Sequence, residues 1–86
     1  NLEIYVLWLL IHQMADLDTR VMDHTLHQMD HALNPLDHGL VPGVPVLQLL
    51  VVLAANLLSA SKVGLPTAQA ITKNKEAAAI LDLLLL

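Results

Sequence analysis

The chain has 86 residues, of which 56% are hydrophobic and 14% are charged, with no Cys and a formal net charge of −4 at pH 7. This length allows one domain, the apolar fraction excludes intrinsic disorder, and the lack of Cys excludes a disulfide scaffold or a Cys-based zinc module. Four Lys and Arg residues cannot neutralise a row of phosphates, so we expect no nucleic-acid partner. No basic segment precedes an apolar stretch, so we expect no signal peptide.

The predicted elements are helices, because Leu supplies 21 residues and aromatic residues are almost absent, a balance that favours helix over strand. Apolar spacing predicts five helices, near residues 2–13, 25–33, 46–54, 67–73 and 76–85. Polar, turn-forming residues predict turn or extended structure at 15–23 and 57–65, and the Pro- and Gly-rich segment 34–45 is predicted to be a loop. The predicted fold class is all-α.

The chain also repeats itself. Residues 4–24 match residues 44–64 at a constant offset of 40, and the apolar string that begins at Val6 and at Val46 recurs from Ile80 after a further 34 residues. Each unit contains a long apolar helix, a polar segment of about ten residues that we call the finger, and a short helix. Approximate units are 1–14, 15–54 and 55–86.

This unit resembles the ankyrin repeat, which has about 33 residues folded as a β-turn finger and two antiparallel helices. Leu2-Glu3-Ile4 with Leu7, Leu9 and Leu10 is similar to an outer helix, and Thr25-Leu26-His27 is similar to the Thr-Pro-Leu-His motif. Ala15–Arg20 and Ala55–Ala60 resemble fingers. The resemblance implies stacked helix-turn-helix repeats with short finger turns, forming one domain over 1–86 that is complete or part of a longer array.

What the resemblance implies about function is a scaffold that binds a protein partner, or a second copy, through finger tips and inner helices. It also implies an intracellular location, cytoplasmic or nuclear. Seven residues would form the partner-binding surface: Arg20, Met22, Asp23, Gln28, Lys62, Val63 and Gln69.

We expect no enzyme activity and no cofactor. Ser59 and Ser61 are not part of a Gly-x-Ser-x-Gly motif, the chain has no Cys nucleophile, and its three Gly residues do not form a phosphate-binding loop.

A metal site is one alternative, because an Asp-His pair recurs every seven residues, beginning at Asp23. On one continuous helix His24, His27 and His31 would share a face, and imidazole and carboxylate groups at that spacing can ligate Zn²⁺ or Cu²⁺. The ankyrin resemblance instead places a turn at the junction 23–25, so that His24 and His31 point apart. We therefore predict that these histidines are solvated or cap the helix.

A small membrane-embedded helical subunit is the other alternative. Leu40–Ser61 contains no formally charged residue, and its length is enough for a span of about 20 residues. Pro42, Gln48 and Asn56 inside this window weaken the prediction. One continuous helix through 44–61 would favour the membrane subunit, whereas antiparallel helix pairs with protruding fingers would favour the scaffold.

The predicted core lies between stacked repeats and holds six leucines: Leu9, Leu10, Leu49, Leu50, Leu83 and Leu84. We also expect a neighbour to cover Trp8, since an exposed Trp beside apolar residues would promote association.

Overall fold

The computed structural model describes residues 2–17 and 22–86. Within these ranges the chain forms five helices and no strand, which confirms the all-α fold class. The helices are α1 (Leu2–Leu17), α2 (Asp23–Asp37), α3 (Val44–Lys62), α4 (Pro66–Thr72) and α5 (Lys75–Leu84).

The helices pack as a closed bundle of 32 × 25 × 23 Å. The most extensive packing is between α1 and α2, and α1 also contacts α4 and α5. The longest helix, α3, packs against α2, α4 and α5. In a linear repeat array each unit contacts only its neighbours. Here the first and last helices touch, so the packing differs from the linear stack that the repeats predict.

The core is apolar and draws residues from all five helices. Among the described residues no polar or charged residue is buried. The largest wholly buried side chains are Leu7, Ile11, Leu26, Met29, Leu33, Leu50, Leu57, Ile71 and Leu81. On α1 and α2 these positions recur every three or four residues, which is the spacing of one helix face.

The predicted core is only partly correct. Leu50 is buried as expected, whereas Leu9, Leu10 and Leu84 are half-buried. The predictions for Leu49 and Leu83 are wrong, because both side chains are exposed. Successive residues on a helix point about 100° apart, so Leu49 cannot share the direction of Leu50. Trp8 is half-buried against the core and stacks on His12, with ring centroids 5.2 Å apart.

The second predicted finger is helical, so the turn predicted over 57–65 is wrong as far as Lys62. α3 continues through Ala55–Ala60 and ends in a Schellman motif at Gly64, which has a φ of +93°. Leu65 donates its backbone N–H to the carbonyl of Ala60, and Gly64 donates to Ser61, each at 3.1 Å. A glycine in this conformation ends a helix about two residues before itself, so Gly64 marks the true end of α3.

The turn predicted over 15–23 is wrong at both of its ends, where the described residues are helical. α1 continues to Leu17, and α2 begins at Asp23, while residues 18–21 lie outside the described residues. At its other end α2 runs four residues past the predicted limit of 33. Pro35 lies in the last turn of α2, where its missing N–H interrupts the hydrogen-bond ladder one turn before the helix ends. A second Schellman motif follows, centred on Gly39.

The last two helices begin within one residue of their predicted starts, and local sequence explains why. Pro66 is the first residue of α4, a position where its missing N–H and fixed φ cost nothing. Asn74 caps α5, because its side-chain oxygen accepts hydrogen bonds from the backbone N–H groups of Glu76 and Ala77 at 3.0 and 3.1 Å.

Candidate functional site

A groove lies between α2 and the start of α3, and we call it the α2–α3 groove. Its volume is about 720 Å³, within the range of about 300–1,000 Å³ that is usual for ligand sites. Its apolar lining residues come from the end of α2, from the connecting loop 38–43 and from the first turns of α3: Ala32, Pro35, Leu36, Leu40, Val41, Pro42, Val46 and Leu49.

The connecting loop creates the groove. The Schellman motif at Gly39 turns the chain away from α2, and Gly43 then caps α3, with Pro45 in its first turn. Between these points the loop presents Leu40 and Val41 outward, and Val41 is 91% exposed. Covering these two exposed apolar side chains with another apolar surface would lower the free energy of the complex.

Polar groups lie along the α2 side of the groove. His27, Gln28, Asp30 and His31 line it there. The Nδ1 atom of His12 on α1 donates a hydrogen bond to Oδ2 of Asp30 at 3.0 Å, so this carboxylate is already paired within the chain. The groove is therefore lined mainly by apolar side chains, with polar groups on its α2 side. Such a lining is suited to binding an apolar ligand that has a polar edge.

A smaller cavity of about 240 Å³ lies on the other side of the same loop. Leu36, Leu40 and Pro42 line both cavities, and Leu33, Leu50 and Ile80 line only the smaller one. The loop is thus supported on one side by the core and open on the other.

Only some of the predicted partner-binding residues lie within the described parts of the chain. Arg20 and the side chain of Asp23 lie outside the described residues. Met22 is only 4% exposed, so its side chain belongs to the core and its assignment to an exposed binding surface is wrong. Gln28 lines the groove.

The remaining three predicted residues lie around the turn from α3 to α4. Lys62 and Val63 are exposed there. Gln69 is half-buried and donates from Nε2 to the carbonyl of Ser61 at 3.3 Å. Since α3 extends about 27 Å from Val44 to Lys62, this turn is far from the end of α3 that forms the groove.

The predicted turn at the junction 23–25 is wrong, because α2 already begins at Asp23. His24, His27 and His31 consequently lie on one helix, and all three side chains are exposed. His24 and His31 are two turns apart and point in nearly the same direction, about 10 Å apart along the axis. Within the described parts of the chain, no three His, Cys, Asp or Glu side chains are close enough together to hold a metal ion.

The sequence predicts segment 34–45 only as a loop and does not identify Leu40 and Val41 as groove residues. Two consecutive large apolar residues in a Pro- and Gly-rich loop do indicate an exposed apolar surface, because such a loop does not form a hydrophobic core.

One helix in the described part of the chain, α3, is long and apolar enough to cross a membrane, judged by length and composition alone. Five of its residues are nevertheless buried in the bundle: Leu50, Leu53, Ala54, Leu57 and Ala60. Comparisons with protein-family models, with curated proteins and with solved structures found no match.

Proposed function

We propose that this chain is a helical protein-binding module that takes an apolar segment of a partner protein into the α2–α3 groove. The observation that carries the proposal is the exposed apolar pair Leu40 and Val41 at the mouth of a groove lined mainly by aliphatic side chains. Binding of this kind buries aliphatic anchors in the centre and leaves a polar rim in water.

The partner segment that fits best is an amphipathic helix with a basic polar face. An open apolar groove between two helices is the surface into which such a helix lays its apolar side. The chain carries eight acidic and four basic residues, so its field attracts a basic segment and repels an acidic one.

The resemblance to ankyrin repeats supports the same general role, since it implies a scaffold for protein partners. The proposal keeps that role, together with an intracellular location and the absence of catalysis. It moves the binding surface from the finger tips and inner helices to the groove, because Met22 is buried and the second predicted finger is part of α3.

Nuclear magnetic resonance tests the proposal with a model ligand, an amphipathic peptide of about 18 residues made of Leu and Lys. We expect saturable shifts of the amide signals of Leu36, Leu40 and Val46. Val41→Asp is expected to weaken binding at least tenfold, which corresponds to about 1.4 kcal/mol. Val63→Asp is the matched control, since Val63 is 79% exposed and lies outside the groove.

Two further peptides make the test selective. A scrambled peptide of the same composition has no apolar face, and a Leu and Glu peptide has the apolar face with the opposite charge. We expect no binding of the first and weaker binding of the second. Shifts that do not saturate, or that are the same for Val41→Asp and Val63→Asp, would overturn the proposal.

A membrane subunit is the second candidate function, and one observation favours it: α3 runs without interruption from Val44 to Lys62. Burial of one side of α3 against α2, α4 and α5 argues against a lipid-surrounded span. Alkaline carbonate extraction of membranes from expressing cells separates the two candidates. A membrane subunit stays in the pellet, and a binding module is released to the supernatant.

A further inference from the structure

The outer face of α3 is a second unpartnered surface, separate from the α2–α3 groove. It lies opposite the buried residues of α3, and four of its residues follow each other at intervals of four along one ridge: Val44, Gln48, Val52 and Asn56. A parallel ridge holds Val51, Ala55 and Ser59, and the residues of both ridges are exposed. Ridges at this spacing are the surfaces through which helices pack against each other.

Charge on this face is absent. No residue between Leu40 and Ser61 carries a formal charge, although the chain as a whole has a net charge of −4. A charged partner would find nothing to pair with here, whereas a second copy of the chain meets no like charge. We propose that the outer face of α3 binds the same face of a second copy about a twofold axis at Val52.

The two α3 helices run antiparallel in this dimer. Lys62 is the only charged residue of α3, so a parallel pair would bring two ammonium groups together. An antiparallel pair instead sets them at opposite ends of the contact and also aligns the helix dipoles favourably. Antiparallel pairing about Val52 places Gln48 of each copy opposite Asn56 of the other, because both lie four residues from the axis.

The polar residues of the face distinguish a second copy from a lipid surface. Gln48, Asn56 and Ser59 would lose their hydrogen bonds with water in hydrocarbon, which strongly disfavours their insertion into a bilayer. Across a twofold axis the two amides can donate to and accept from each other. The mixture of aliphatic and uncharged polar side chains is also typical of non-obligate protein interfaces.

The face is small for a protein interface. Its two ridges hold seven exposed residues. Stable interfaces bury about 800 Å² per partner with 20–30 residues, so seven residues correspond to roughly 190–280 Å² per copy. That area is below the range of stable interfaces, so we expect a weak, reversible dimer whose population rises toward the highest protein concentrations.

Sedimentation equilibrium of the full chain from about 10 µM to about 1 mM tests the proposal. The wild-type chain is expected to associate as the concentration rises. Val52→Glu and Val52→Lys should each be monomeric, because each variant places two like charges at the axis. An equimolar mixture of the two variants should associate again, since opposite charges then meet. Val63→Glu makes the same charge change outside the face and should behave like the wild type.

A cysteine cross-link provides a positive test that does not depend on charge. The chain has no Cys, so Val52→Cys introduces a single thiol. Under mild oxidation we expect Val52→Cys to form a covalent dimer and Val63→Cys to remain mostly monomeric. Far-UV circular dichroism of every variant must match the wild type. Val52 is 57% exposed, so these substitutions leave the core intact.

Several outcomes would overturn the proposal. A chain that stays monomeric up to the highest concentration has no such interface. A monomer that sediments with phosphatidylcholine vesicles has a lipid-binding face instead. A dimer that survives Val52→Glu, or a mixture of the charged variants that fails to associate, places the axis elsewhere. None of these results bears on the α2–α3 groove, whose test uses Val41 and peptide ligands.

Discussion

His12 on α1 and Asp30 on α2 are joined by a hydrogen bond of 3.0 Å between Nδ1 and Oδ2. The pair connects the two helices that pack most extensively, and it stands beside Trp8, whose ring stacks on His12. Its side chains are 47% and 25% exposed. Solvent therefore screens the interaction, and the apolar contacts of Leu7, Ile11 and Leu26 contribute more to the α1–α2 packing.

A double-mutant cycle measures this pair. We expect a coupling free energy of about 0.2–1 kcal/mol between His12→Ala and Asp30→Ala in urea unfolding, the range of exposed ion pairs. The pair carries opposite charges only when His12 is protonated, so in mildly acidic buffer the coupling should decrease in 1 M salt, where the screening length is about 3 Å. A coupling above about 2 kcal/mol that does not depend on salt would show that the pair acts as a buried interaction.

Leu49 and Leu50 form a matched pair of adjacent leucines on α3. Leu50 is 1% exposed and Leu49 is 40% exposed. We expect Leu50→Ala to lower the free energy of unfolding by about 2–5 kcal/mol, because it removes buried methyl groups and leaves a cavity. Leu49→Ala should cost less than about 1 kcal/mol. Urea unfolding checks both values, and equal losses would contradict the orientation of α3.

Leu49 and Leu50 also show why the sequence predicted helices better than helix faces. The positions of apolar residues, Pro and Gly indicate five helices in the correct order. In the first half of α3, however, apolar residues lie on all sides of the helix, so the pattern does not distinguish a core side from an outer side. Only the packing of α2, α4 and α5 determines which leucine is buried.

Neither the length of α3 nor the α2–α3 groove could be predicted from local sequence, because both depend on contacts between residues that lie apart in the chain. Ser59 and Ser61 favour a turn by local preference, yet Ser61 is held against α4, where its Oγ lies 2.8 Å from Oγ1 of Thr72. The α2–α3 groove likewise exists only because the loop 38–43 sets two helices side by side. Residue spacing within one segment carries no information about either contact.

Asn74 provides a prediction about local structure. Its side-chain oxygen accepts hydrogen bonds from two backbone N–H groups in the first turn of α5. We expect Asn74→Ala to lower the free energy of unfolding by about 0.5–2 kcal/mol, the usual cost of losing such a cap. For a domain of this size the midpoint of thermal unfolding should fall by about 4–8 °C per kcal/mol.

The control for Asn74 is Asn56, an exposed asparagine in the interior of α3. Alanine has a higher helix propensity than asparagine, so Asn56→Ala should leave the thermal midpoint unchanged or raise it slightly when measured in dilute, monomeric protein. If both substitutions lowered the midpoint equally, the cap would contribute nothing specific to α5.

Trp8 carries a buried indole N–H that has no hydrogen-bond acceptor among the described residues. An unpaired buried donor costs about 1–3 kcal/mol. Trp8→Phe removes that donor while keeping an aromatic ring beside His12, so the gain offsets much of the packing that the smaller ring loses. We therefore expect Trp8→Phe to change the free energy of unfolding by less than about 1 kcal/mol, whereas Trp8→Ala should cost about 3 kcal/mol.

Tyr5→Phe is the control for the aromatic neighbour, since Tyr5 is exposed and its ring centroid lies 6.3 Å from that of Trp8. Unfolding followed by far-UV circular dichroism gives all three values, and a loss above about 2 kcal/mol for Trp8→Phe would mean that the indole N–H is paired in the folded chain.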